Sequence, residues 1–97
     1  MRNFKSDSVD RLFDAVLSLK DRDECYAFFD DICTIKEITD MAQRLDTAFL
    51  IDEGISYQKI SERIGVSTAT ISRVKRSLFD NDTYGYSLVL DKMNSKS

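Results

Sequence analysis

The side chains best suited to chemistry lie between positions 67 and 76, where hydroxyl, guanidinium and small apolar groups follow one another closely. On a helix, five of them share one face: Thr68, Ala69, Ser72, Arg73 and Arg76. Arginine can bind guanine or phosphate, hydroxyl groups bond to several base edges, and the methyl groups of Ala69 and Thr68 suit the C5-methyl group of thymine. This combination predicts a surface that reads bases in double-stranded DNA.

Positive charge is concentrated around the same segment. Residues 56–78 carry five cationic side chains against one carboxylate, whereas residues 1–55 carry seven against thirteen, and the whole chain has a net charge of -3. Four side chains are expected to contact phosphates, which would position the protein without reading sequence: Ser67, Lys59, Arg63 and Lys75. Binding should therefore be oriented by one cationic face and weakened by salt.

The spacing of apolar residues predicts two short helices joined by a tight turn. These residues recur at helical intervals on both sides of a glycine: Ile60 and Ile64 before it, and Ile71, Val74 and Leu78 after it. Gly65 suits the turn because glycine accepts a positive φ, Val66 can fill the corner, and Ser67 can cap the second helix. Ser61 is small enough for a close helix crossing. Residues 56–78 are thus predicted to form a helix-turn-helix motif whose second helix presents the polar face.

Three helices are predicted before this motif and one after it. The first begins near Ser6 or Asp7 and stops near Lys20, and the second is short and aromatic, within residues 21–33. The third and longest starts at a capping-box spacing in residues 34–37 and stops at Gly54.

The last helix is predicted to be short and to contain residues 88–90. It follows a segment rich in turn-forming residues, and the end of the chain, residues 93–97, is expected to be frayed. The expected fold class is therefore all-α, with about six helices.

Composition excludes several classes of site. With 97 residues the chain has the length of one domain, and it contains no histidine and only two cysteines. Neither a zinc finger nor a histidine-dependent catalytic triad can be assembled, and three scattered glycines do not make a phosphate-binding loop. Adjacent carboxylates on a helix point in different directions, so they are not expected to form a catalytic acid/base pair. We therefore expect no enzyme activity, no metal and no cofactor.

The two cysteines are predicted to be free and buried. Cys25 and Cys33 would lie about 12 Å apart on one continuous helix, which is beyond the reach of a disulfide. Residues 1–10 lack the apolar core of a signal peptide, and no apolar run reaches transmembrane length. A cytoplasmic protein without membrane association is expected.

The predicted helices carry more apolar surface than a chain of this length easily buries. A homodimer would cover the excess, whereas the alternative is a monomer whose tail folds back on its own core. We expect a single domain in which residues 1–54 supply dimerisation helices, residues 56–78 the motif, and residues 79–97 a turn, the short last helix and its frayed end.

From Thr34 to Leu78 the chain resembles the tryptophan repressor family, and within it the YerC/YecD-type branch. The segment TATISR, residues 68–73, is the most specific part of the likeness, and the preceding helices match in number and order. The resemblance implies an intertwined, all-helical dimer with two projecting helix-turn-helix heads. It places Thr68, Ala69 and Ser72 at base-reading positions.

The same resemblance places three residues at positions that line the family's effector pocket: Gln43, Arg73 and Ser77. Gln43 stands where the family has an arginine, and Val74 stands where it has a glycine. Since a valine fills space that an indole ring needs, the pocket is expected to be vestigial and DNA binding to need no tryptophan corepressor. Whether another small-molecule effector binds stays open.

The function predicted from these features is that of a sequence-specific transcriptional regulator, a dimeric repressor that reads a palindromic site. Two short amphipathic helices also occur in bundles that touch no nucleic acid, so a protein-interaction module that uses the motif as a packing surface is the alternative. Structured RNA fits less well, because its major groove is too narrow for a helix and Tyr57 alone is an insufficient stacking platform.

Overall fold

A computed structural model of the protein describes residues 3–80 and 82–94, and within them every regular element is a helix. The six helices are α1 Asp7–Leu17, α2 Arg22–Ile32, α3 Ile35–Asp52, α4 Tyr57–Ile64, α5 Thr68–Phe79 and α6 Gly85–Asn94. The all-α prediction is confirmed. None of the helices in this described part is long and apolar enough to span a bilayer.

Side chains before the first turn fix where the N-terminal helices begin. The side chains of Ser6 and Asp21 each accept a hydrogen bond from the backbone N–H three residues further on. At α3 the predicted capping box is present, since Thr34 N–H donates to the Glu37 carboxylate at 2.8 Å and Glu37 N–H donates to the Thr34 hydroxyl at 3.1 Å. Hydrogen bonds from the Thr34 backbone, and secondly from its side chain, lower the pKa of Glu37 below its ordinary value.

Helix α1 is shorter than its sequence suggests. The prediction of an end near Lys20 is wrong, because the helix ends at Leu17. Ser18 turns its hydroxyl back onto the Ala15 carbonyl at 2.6 Å, and the Lys20 N–H donates to the Glu24 carboxylate at 3.0 Å. Lys20 therefore lies just before α2 and is bonded to the first turn of that helix.

The chain divides into two compact units, residues 1–38 and 39–97. In the first unit, neither α1 nor α2 contains a buried residue. Its large exposed apolar side chains are Phe4, Leu12, Phe13, Leu17, Tyr26, Ile32 and Ile35. The thiols of Cys25 and Cys33 are free, as predicted, but the prediction that they are buried is wrong: Cys25 is exposed and Cys33 only partly buried. The physical reason is that no side chain of α2 is fully buried within the chain.

The second unit has an apolar core built around α5, which packs against α4 on one side and α6 on the other. Two clusters of buried residues make up this core. The first, here the α6 cluster, consists of Ala48, Val74, Leu78 and Leu90. The second, here the turn cluster, consists of Ile60, Val66 and Ile71. Ile51 is partly buried against both clusters and so connects them.

The passage from α3 to α4 is a Schellman motif. Gly54 has a φ of 81°, its N–H donates to the Ile51 carbonyl at 2.9 Å, and the Ile55 N–H donates to the Leu50 carbonyl at 3.0 Å. Leu50 and Ile55 both pack against the turn cluster, which is the apolar contact that usually accompanies this motif. The predicted stop at Gly54 is thus present in the structure.

Between α5 and α6 the structure describes residues 80 and 82–84, with a turn at Asp82. The Thr83 hydroxyl donates to the Ser77 carbonyl at 2.8 Å and so ties this turn to the end of α5. Of the segment 93–97 that was expected to be frayed, Met93 and Asn94 are the last two residues of α6. Residues 95–97 lie outside the described part of the chain.

Candidate nucleic-acid interface

The turn between α4 and α5 is held by three hydrogen bonds. Gly65 has a φ of 84°, and its N–H donates to the Ser61 carbonyl at 2.8 Å. The Ser61 hydroxyl donates to the Val66 carbonyl at 3.0 Å, so this small residue also fixes the corner. Ser67 caps α5 by accepting from the Thr70 N–H at 3.1 Å. The predicted roles of Gly65, Val66 and Ser67 in the turn are confirmed, and Val66 is buried in the turn cluster.

Helix α5 has one buried and one exposed side. Ile71 is 0% exposed, Val74 2% and Leu78 9%, so the predicted apolar stripe holds the helix against the core. The five predicted base-reading side chains are all exposed: Thr68, Ala69, Ser72, Arg73 and Arg76. Across residues 3–80 and 82–94, neither arginine of this set forms a salt bridge with a carboxylate. We call these five residues the reading face.

The predicted phosphate-contacting side chains are exposed on both helices of the motif. Lys59 and Arg63 are exposed on α4, and Ser67 is exposed at the start of α5. Glu62, the only carboxylate within residues 56–78, accepts a hydrogen bond from the Gln58 amide at 3.3 Å. The cationic groups of α4 thus stand free of carboxylates throughout the described residues.

Lys75 differs from the other cations because an aromatic ring holds it. Its Nζ lies 5.3 Å from the centroid of the Tyr57 ring, within the range of a cation–π contact. Tyr57 opens α4 and packs against the turn cluster, whereas Lys75 is exposed on α5. The sequence pattern did not reveal this pair, because periodicity reports only neighbours on one helix.

The predicted effector-pocket residues lie on α3 and α5. Gln43 is partly buried and its carbonyl accepts from the Thr47 hydroxyl at 2.7 Å, Ser77 is partly buried, and Arg73 is exposed. Val74 points into the α6 cluster, in contact with apolar side chains rather than with solvent.

Comparisons with known proteins agree with this architecture. The family model described as Trp repressor protein matches residues 7–94. The chain is 57% identical over 81 residues to the protein named "Uncharacterized protein YerC" of Bacillus subtilis (strain 168). The aligned residues cover 82% of this chain and 78% of that protein.

Two crystal structures have the same fold. A TrpR-like protein from Eubacterium eligens ATCC 27750 superposes with a TM-score of 0.87 at 48% identity, over 93% of this chain and 92% of the other. A candidate Trp repressor from Staphylococcus aureus superposes with a TM-score of 0.87 at 50% identity, over 93% and 89%. On the family match, the identities and the shared fold, the chain belongs to the Trp repressor protein family, whose members are regulators rather than enzymes.

Proposed function

We propose that the protein is a sequence-specific DNA-binding transcriptional regulator that inserts α5 into the major groove. The observation that carries this proposal is the division of α5 into a buried stripe and an exposed reading face. Because the stripe is anchored in both core clusters, the helix is held rigidly with hydroxyl and guanidinium groups facing outward. Those groups match the donors and acceptors that base edges present in the major groove.

The flanking side chains would fix the orientation of the motif on the duplex. Lys59, Arg63 and Lys75 would bind phosphates, and the Ser67 hydroxyl would do so by turning its proton away from the Thr70 hydroxyl. Since the rest of the chain is acidic, only this surface attracts DNA.

The protein is proposed to work as a homodimer that represses transcription by occluding a promoter. The apolar side chains of the first unit support a dimer, because Phe4, Leu17 and Tyr26 are each more than half exposed in the single chain. A second copy would cover these side chains. One recognition helix contacts only a few base pairs, whereas a two-fold dimer presents two helices about 34 Å apart to a palindromic site.

DNA binding is proposed to need no tryptophan corepressor. The burial of Val74 among Ala48, Leu78 and Leu90 supports this view, because its side chain stands where the family resemblance places a glycine beside the indole. Calorimetric titration of the protein with tryptophan should give no binding heat, and gel shifts should be the same with and without tryptophan. Micromolar affinity for tryptophan would refute this part of the proposal.

The DNA-binding proposal is tested by fluorescence anisotropy with labelled duplexes at several salt concentrations. The observed association constant should fall steeply between about 50 and 200 mM salt, as expected for release of counterions from several phosphates. Unlabelled duplex DNA should compete better than structured RNA of the same length. If the protein shows no salt-dependent binding to any duplex, the helix pair is better explained as a packing surface for a protein partner.

A further inference from the structure

The contact between Tyr57 and Lys75 links the first residue of α4 to the exposed side of α5. The ring is partly buried and packs against the turn cluster, so its position is set by the core. The lysine ammonium lies 5.3 Å from the ring centroid and remains exposed to solvent. A partly buried aromatic ring and a solvent-exposed cation therefore meet beside the reading face.

Such a contact changes what a lysine contributes to binding. A lysine side chain that is free in solution loses much rotamer freedom when it contacts a phosphate. A ring that already holds the ammonium removes part of this loss, because the side chain is ordered before DNA arrives. The ammonium has three donors, so a contact with a ring on one side leaves others free to bind an anion.

We propose that Tyr57 is a positioning residue for DNA binding, which holds the Lys75 ammonium in place to contact a backbone phosphate. This inference rests on the proposed DNA-binding function and adds a residue that itself need not touch DNA. It also distinguishes Lys75 from Lys59, because no aromatic contact of the Lys59 ammonium occurs among the described residues.

The test compares two substitutions of the ring by anisotropy on one duplex. Tyr57→Leu removes the ring but keeps an apolar side chain against the turn cluster. It should weaken binding about two- to fivefold, because the lysine would then lose its rotamer freedom on contacting the phosphate. Tyr57→Phe keeps the ring and is the matched control, which should bind as the wild type does. Circular dichroism and thermal unfolding should show that both variants remain folded.

The salt dependence separates positioning from direct contact. Lys75→Ala should make the slope of log affinity against log salt shallower by the amount expected for the loss of about one phosphate contact. Tyr57→Leu should leave this slope unchanged, because the charge of Lys75 remains. In the Lys75→Ala background, Tyr57→Leu should have no further effect, since the residue acts only through the lysine. In the free protein, the ring should shift the NMR signals of the Lys75 Cε protons upfield, and Tyr57→Leu should abolish this shift.

Two results would overturn the inference while leaving DNA binding intact: wild-type affinity in Tyr57→Leu, or an undiminished loss of affinity when Tyr57→Leu is made in the Lys75→Ala background. If the wild-type protein itself shows no salt-dependent binding to duplex DNA, the proposed function fails and the inference fails with it.

Discussion

Arg73 and Arg76 are the two side chains of the reading face that can form paired hydrogen bonds with guanine. Both are exposed, and within residues 3–80 and 82–94 neither is neutralised by a carboxylate. Their guanidinium groups are therefore available without first breaking an internal ion pair. By contrast, the hydroxyl of Ser67 is already engaged with Thr70, both as acceptor from the N–H and as donor to the side chain.

Removal of either arginine should reduce both affinity and sequence discrimination. Arg73→Ala or Arg76→Ala should cost about 1 to 3 kcal/mol on the preferred site if the side chain reads a base, with a smaller loss on unrelated DNA. Arg11→Ala, on the exposed side of α1, is the matched control and should bind normally. Anisotropy on preferred and scrambled duplexes measures the difference. Unchanged affinity of both motif variants would exclude these residues from the interface.

Local backbone geometry, a side-chain hydrogen bond and an apolar cluster together hold α4, the turn and α5. Gly65 adopts the left-handed conformation, the Ser61 hydroxyl closes the corner, and the turn cluster packs beneath it. The glycine turn and the apolar residues of the cluster were predictable because each depends on residues only a few positions apart. For Ser61 only its small size was predicted, and not the hydrogen bond of its hydroxyl. The same is true of the capping box at the start of α3.

Gly65→Ala should lower the free energy of unfolding by about 1 to 2 kcal/mol. The cost is conformational, because a Cβ at a φ of 84° strains the backbone although it would meet no atom within 4 Å. Gly85→Ala is the control: Gly85 also has open space around it, lacks a positive φ and opens α6, so alanine should be neutral or stabilising. Urea unfolding at one protein concentration measures the free energy of unfolding of both variants. Equal stability of the two variants would contradict the conformational explanation.

The capping box of α3 should make stability depend on acid pH. The pKa of Glu37 in the folded state is lowered below its ordinary value of 4.5. The carboxylate therefore contributes fully to the stability of the fold above about pH 4.5, and this contribution is lost as the pH falls through the folded-state pKa. Glu37→Gln keeps an acceptor for the Thr34 N–H but does not titrate. On acidification the wild type should therefore lose more stability than Glu37→Gln. Parallel unfolding curves for the two proteins across this pH range would contradict the assignment.

Three features of the helices could not be predicted from local spacing. The end of α1 depends on the Ser18 hydroxyl bonding to the Ala15 carbonyl, a choice that residue type alone does not determine. The exposure of Cys25 depends on what α2 packs against, which one chain does not specify. The pairing of Tyr57 with Lys75 joins two helices and becomes visible only once they are folded together. The roles of the reading face in base recognition remain predictions.

The second unit of the chain has a buried apolar core, whereas α1 and α2 in the first unit contain no fully buried residue. Apolar stripes of this kind are stable in water only when another surface covers them. The proposed homodimer would give that cover and would also supply the second recognition helix that a palindromic site requires.

The apolar stripe of α1 contains the exposed side chains of Leu12, Phe13 and Leu17. A charge placed on this stripe should dissociate the proposed dimer. Phe13 is 48% exposed in the single chain, so Phe13→Lys should be tolerated by the monomer yet disrupt a dimer interface at this stripe. Asp14→Lys, at an exposed polar position of α1, is the control and should leave the dimer intact. Sedimentation equilibrium measures the mass of each protein. A wild-type monomer, or a Phe13→Lys dimer as tight as the wild type, would contradict the proposed interface.

Selection of bound sequences from random double-stranded DNA tests the regulator proposal most directly. The proposal predicts a palindromic consensus whose half-sites lie about one helical turn apart, roughly 10 base pairs, because two copies of α5 would read successive major grooves on one face of the duplex. Failure to enrich any sequence over the starting pool would contradict it.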